Sequence, residues 1–357
     1  MKTFSKWIVV LLAVLTLCAC ETVAYYSQAA TGQLSLLWAR ESIDEMLQSA
    51  EVDQDIKRKL ALVLEARDFA EQQLGMSAGH TYTQYVELDR AYVVWNVFAA
   101  PEFSTAPINW CYPIAGCVAY QGYFSETAAQ EFGQKLRSEG YDVYIGGVDA
   151  YSTLGWFDDP LTSSVLRRPD HRVVALIFHE LAHQKIYVPG DTTFNESFAS
   201  FVEEEGLRRW FEHYPHRAYE VDLPLEQSLQ DDFVALVGLY RERFAALYEQ
   251  PLDESLMRQE KVKLQQQLRE AYEELSERWG RGAYDRWFAG PLNNAQLGTI
   301  ASYNDYIPAF AVMLQQEAGD LERFFARVKA LSQLSRDQRE ASLEQLMSKG
   351  LDGSQLF

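Results

Sequence analysis

Basic residues are in short supply. Lys and Arg number 32 against 51 Asp and Glu, a net charge of −19, and so acidic a surface repels polyphosphate, which excludes nucleic-acid binding. Glycine (20) and proline (11) are too few for collagen, and 48 % hydrophobic with 23 % charged residues excludes disorder and coiled coil. Long apolar runs are missing except at the N-terminus, so a polytopic membrane protein is excluded. Histidine (6) and cysteine (4) are rare enough for each to be weighed singly. The 357 residues allow one large domain or two. With no repeat, linker or sharp boundary, residues 20–357 are expected to form one domain, acting as a monomer.

The N-terminus reads as an address. Lys2 and Lys6 precede an uncharged run from Trp7 to Leu17 and then small residues, the order of a secretory signal over residues 1–19. Leu17-Cys18-Ala19-Cys20 resembles a bacterial lipobox with Cys20 as the lipidated residue, and an uncleaved anchor helix is the alternative. Glu21 rather than Asp follows, which implies sorting to the outer membrane and attachment to the membrane through lipid at its periplasmic face. Export leaves Cys111 and Cys117 around a Pro113/Gly116 turn. An oxidising compartment favours a disulfide there, and a metal role would lack nearby histidine.

The pattern predicts an α+β fold, a small mixed sheet in the N-terminal half packed on a mainly helical core. Apolar residues at three and four spacing place helices in 34–75. Strands are expected at 92–98, 116–124, 141–145 and 150–155, with a helix at 126–138 stopped by Gly140. The strand-containing part spans about 85–160. Beyond 170 every segment reads helical: 171–187, 195–214, 230–248, 255–278 and a group from 298 to 349.

Chemistry is carried by Phe178-His-Glu-Leu-Ala-His-Gln184, which contains H-E-x-x-H in an apolar helix. His179 and His183 lie four apart and leave one helix face together, so both rings can reach one Zn²⁺. Glu180, rotated by about 100°, stays off the metal but beside a water it can deprotonate. A pair of satisfied core histidines is the bland alternative.

A catalytic zinc needs a third protein ligand. Ile186 and Pro189 stand where metzincins have Gly and His, which excludes that class. Pro189-Gly190 ends the helix and a second opens near Phe194, where Glu196, beside Ser197, Ala199 and Ser200, resembles the third ligand of gluzincins. Thr193-Phe-Asn-Glu196 also fits a capping box, in which Glu196 would only bond a backbone N–H. Asp191, Glu203 and Glu204 remain alternative ligands. Glu203, seven residues after Glu196, shares its face and is suited to holding a histidine N–H, unless 203–205 is simply a solvated acidic run. His171 could approach as a fourth ligand but suits a helix start.

With these residues in view, the chain resembles the predicted aminopeptidase family of bacterial lipoproteins with an H-E-L-A-H-Q core. The resemblance runs from Tyr25-Tyr26 through Tyr92-Val-Val-Trp-Asn-Val97, Trp110–Tyr120 and Ala150–Pro160 to His179–Gln184, Asn195–Gly206 and Asn293–Tyr303. It implies a gluzincin-like zinc metallopeptidase, with Ala150–Gly155 as a strand along the substrate cleft. It also implies an oxyanion-steadying tyrosine, Tyr303 or Tyr151, and a role for Asn294 in orienting the site. The expected activity is peptide-bond hydrolysis, with a peptide as substrate and Glu180 as general base. An aminopeptidase also needs a carboxylate for the substrate's ammonium, for which Asp158, Asp159, Glu203 and Glu204 are available. An endopeptidase, or a non-catalytic envelope lipoprotein with a structural or peptide-binding metal site, are the rivals.

Overall fold

The computed structural model describes residues 22–112, 116–150, 153, 157–218 and 221–352, with the backbone alone for 218, 301–303 and 349–352. The signal segment, Cys20, Tyr151 and most of the expected 150–155 strand lie outside the described residues. The fold is α+β, mainly helical with small sheets. Among the described residues no helix is long and apolar enough to cross a membrane.

The strands divide among three small sheets rather than the one mixed sheet expected. In the largest, Val94–Pro101 lies between Tyr120–Tyr123 and Tyr141–Val148, both antiparallel to it. Helix Glu126–Ser138 covers it, capped by Ser125 and ending in Lys135 and Arg137, which suit the negative pole of the helix. Ala129 and Leu136 pack on Val97 and Val143 there, and Gly133 is small because the Ile145 side chain presses on it. A mixed sheet joins Glu41–Ser42, Gln84–Val86 and Leu161–Thr162. These short strands carry too little alternation to be read from sequence. The third sheet is a hairpin, Trp110–Tyr112 with Gly116–Val118, in which Cys111 and Cys117 face each other as a disulfide.

The expected helices are present with shifted ends: Gln54–Gln72, Asp170–Lys185, Thr192–His213, Leu223–Tyr248 and Glu254–Trp279, then several shorter ones from Asp285 onward. Helix 22–38 precedes them and starts earlier than the apolar spacing suggests. Asp170–Lys185 lies at the centre. Its Val173, Val174, Ile177, Phe178, Leu181 and Ala182 are almost fully buried, in one cluster with Phe69, Phe194, Phe198 and Trp210. Helix Thr192–His213 packs back against it closely because Gly206 has no side chain: a Cβ there would come within 2.8 Å of the Phe178 ring.

The connection between these two helices is pinned by polar groups. Gly190 takes the left-handed conformation (φ 85°) that a β-carbon disfavours. The Asn195 amide bonds both N–H and C=O of Val188 at 2.8 Å. Asp191 caps the second helix by accepting from the Phe194 N–H. Its other oxygen takes the Arg339 guanidinium at 2.8 and 2.5 Å, in a pair where both side chains are about 95 % buried. Asp191 is therefore a cap and ion-pair partner rather than a metal ligand. Thr193 already lies inside the helix, so the capping-box reading of Glu196 fails. Replacing Arg339 by Met leaves the Asp191 charge buried and alone. The expected loss is about 3–5 kcal/mol in urea unfolding, and a loss under about 1 kcal/mol, the scale of a surface pair, would show that the pair does not anchor this connection.

Candidate metal centre

His179 and His183 project from one face of Asp170–Lys185, with ring centroids 4.9 Å apart, and Glu196 approaches from the first turns of Thr192–His213. Glu196 Oε2 lies 3.4 Å from His179 Nε2 and 3.6 Å from His183 Nε2. These spacings exceed the roughly 2.7–2.9 Å of a charged hydrogen bond. They match the edges, about 3.3–3.6 Å, of a tetrahedron whose centre holds a divalent metal about 2.0–2.2 Å from each ligand. The three side chains are buried, and among the described residues they form the one cluster of His, Cys, Asp or Glu able to hold a metal ion. Two neutral imidazoles and one carboxylate are a donor set that suits such an ion.

The surroundings fix the ligands. His179 Nδ1 meets Glu203 Oε2 at 3.0 Å, the contact that sets which ring nitrogen carries the proton and leaves Nε2 for the metal. His183 Nδ1 is buried with no hydrogen-bond partner among the described residues. Burial would raise the Glu196 carboxyl, but the two histidines hold it well below the carboxylate range. Burial would lower His179, yet Glu196 and Glu203 keep its proton on. A metal entering here displaces that proton. Glu180, 7 % exposed, is pushed up by burial, against the pull of His179 and His183. It stands on the same helix between the ligands, where a buried carboxyl with a raised pKa is suited to accept a proton.

Other residues singled out in the sequence fall elsewhere. Asn294 accepts from the Tyr248 hydroxyl and gives its amide protons to the Pro101 and Glu102 carbonyls. Its amide is thus committed to tying strand Val94–Pro101 to the helices. Tyr303 lies in helix Asn294–Asn304, its side chain outside the described residues. His171 bonds Glu226 at 3.2 Å. Asp158 is exposed, and buried Asp159 accepts from the Thr153 N–H and hydroxyl at 2.8 and 2.6 Å. Glu204 is raised to about 8 by burial, Glu203 and Asp231.

Three tyrosines went unread in the sequence. Tyr120, at the start of strand Tyr120–Tyr123, is raised by burial and then by the Glu196 charge. Tyr187 is raised to about 12 by burial and Glu196; it stands four residues after His183, a spacing visible in the sequence. Tyr82 is raised by burial and Glu180, and its loop bonds the motif helix where Gln184 donates to the Thr81 hydroxyl at 3.0 Å.

Residues 24–343 match the model of the protein family described as "Putative aminopeptidase". The chain belongs to that family. No curated protein and no solved structure matches the chain. The match covers both helices that carry His179, His183 and Glu196 and the sheets, so the family designation applies to the part of the chain that builds this candidate site.

Metal uptake should follow this geometry. In calorimetric titration with Zn²⁺, Glu203→Gln should weaken binding about 10–100-fold, while Asn294→Ala leaves it unchanged. Affinity should fall as pH is lowered, since His179, whose proton Glu196 and Glu203 hold on, must lose it before it can ligate. Equal affinity in Glu203→Gln and wild type would contradict the role given to Glu203.

Proposed function

We propose that this protein is a zinc-dependent peptidase of the cell envelope, acting as an aminopeptidase. The observation that carries the reading is the convergence of His179 Nε2, His183 Nε2 and Glu196 Oε2, with Glu180 buried beside them. His179, His183 and Glu196 would hold the ion. When bound, zinc supplies Lewis-acid polarisation of a carbonyl and acidification of water. Three protein donors suit catalysis, because a structural site closes with four. That favours hydrolysis over a purely structural metal.

Glu180 takes the proton from the attacking water and hands it to the departing amine. Its raised pKa brings it closer to that of the groups with which it exchanges protons. Glu203 holds His179 in register through both steps. The exopeptidase direction rests on the family designation. Of the carboxylates singled out in the sequence, Asp159 and Glu203 are already engaged by Thr153 and His179, and Glu204, raised to about 8, is mostly protonated at neutral pH, which leaves Asp158 for the substrate's ammonium.

Two outcomes test this. Glu180→Gln should lower kcat on short peptides about 10²–10⁴-fold with bound zinc unchanged, and peptides with a blocked N-terminus should be cleaved far more slowly than free ones. Hydrolysis by Glu180→Gln at the wild-type rate would overturn the catalytic reading; equal cleavage of blocked peptides would convert it to an endopeptidase. The envelope address is tested separately. Cells fed labelled fatty acid should label the wild-type chain and leave Cys20→Ala unlabelled, and labelling of both would remove Cys20 as the anchor.

A further inference from the structure

Tyr82 is unusual in three independent ways. Its backbone is left-handed (φ 59°), a conformation that costs a bulky residue energy and persists only where the surroundings impose it. It is 2 % exposed, among the largest fully buried side chains of the core. Its hydroxyl is buried with no hydrogen-bond partner among the described residues. A phenylalanine would fill the same space without leaving a hydroxyl unpaired, so packing alone does not account for the oxygen.

The loop holding it is tightly fixed. The Tyr82 N–H donates to the Asp159 carbonyl at 2.8 Å. Arg67 bonds the Thr81 and Gly79 carbonyls at 2.6 and 2.8 Å, and Glu71 accepts from the Ala78 N–H. Thr81 is bonded to Gln184, one helical turn beyond Glu180 on the same face. The loop is thereby docked beside the general base, and Glu180 is the foremost charge acting on the Tyr82 phenol, ahead of Asp159. Both Asp159 oxygens already accept from Thr153.

Resting on the peptidase reading, we propose that Tyr82 is the positioning residue of Glu180: in the metal-loaded protein its hydroxyl donates to the Glu180 carboxylate and aims it at the attacking water. The strain at φ 59° is the cost of bringing that hydroxyl to the base from a loop rather than from the helix itself. Catalytic hydrogen bonds are often long before the working complex forms, which accounts for a buried hydroxyl with no partner among the described residues. Other groups acting on Glu180 are His179 and His183 on its own helix and Glu196 and Glu203 from the neighbouring one, with Tyr120 from the sheet. Glu196 and Glu203 are each turned to a histidine.

The test is Tyr82→Phe, alone and combined with Glu180→Ala, in zinc-loaded protein. Tyr82→Phe should lower kcat about 10–100-fold at unchanged KM and zinc content. A merely structural hydroxyl would not split kcat from KM. In thermal unfolding, the effects of Tyr82→Phe and Glu180→Ala should be non-additive, because each removes one end of the same bond. This second readout needs no activity, so it decides the role of Tyr82 even if the chain hydrolyses no peptide and the peptidase reading fails. Wild-type kcat in Tyr82→Phe, or additive shifts in Tm, would overturn the proposal.

Discussion

Everything at the candidate metal centre depends on how closely helix Thr192–His213 packs on helix Asp170–Lys185. The Glu196 carboxylate must meet two imidazoles on the neighbouring helix, and that approach is set by a ring lying on a glycine, Phe178 on Gly206. A β-carbon at 206 would force the helices apart, and a displacement of a few tenths of an ångström is large on the scale of metal–ligand distances. The Asn195 clamp and the Asp191–Arg339 pair then fix the turn, so the carboxylate is delivered by rigid elements and not by a mobile loop.

Burial gives this geometry its chemistry and also its cost. Two histidines and the carboxyls of Glu180 and Glu196 are buried, where unpaired charge is expensive. The protein compensates by pairing: Glu203 on His179, Glu196 across both rings. Glu180 is left a carboxyl with raised pKa, and Tyr82 a strained residue whose hydroxyl has no partner among the described residues. Stability has been given up at the two places closest to where protons would move, the pattern expected where function competes with packing.

How much of this was readable in advance varied with distance along the chain. His179, Glu180 and His183 are encoded by spacing within one helix, and Glu196 by a helix–turn–helix of short span, so local periodicity was enough to bring them together. Glu203 was legible for the same reason, seven residues from Glu196. Asp191 was ambiguous because a cap and a ligand call for the same side chain, and only its pairing with Arg339, far away in sequence, separates them. The partners of Asn294, the carbonyls of residues 101 and 102, could not be read from the sequence because tertiary folding brings them to it. The three sheets were merged into one in the sequence reading because two- and three-residue strands leave no alternation to detect. Tyr82 carries no sequence signal at all: nothing in a Thr-Tyr-Thr loop announces a left-handed, almost fully buried tyrosine.

The central claim is that one divalent ion is held by these three side chains and no others from the chain. Crystals grown with zinc and measured at the zinc absorption edge test it most directly. The account predicts a single strong anomalous peak at about 2.0–2.2 Å from His179 Nε2, His183 Nε2 and a Glu196 oxygen. A peak bound without Glu196, or closed by a fourth protein side chain, would contradict it.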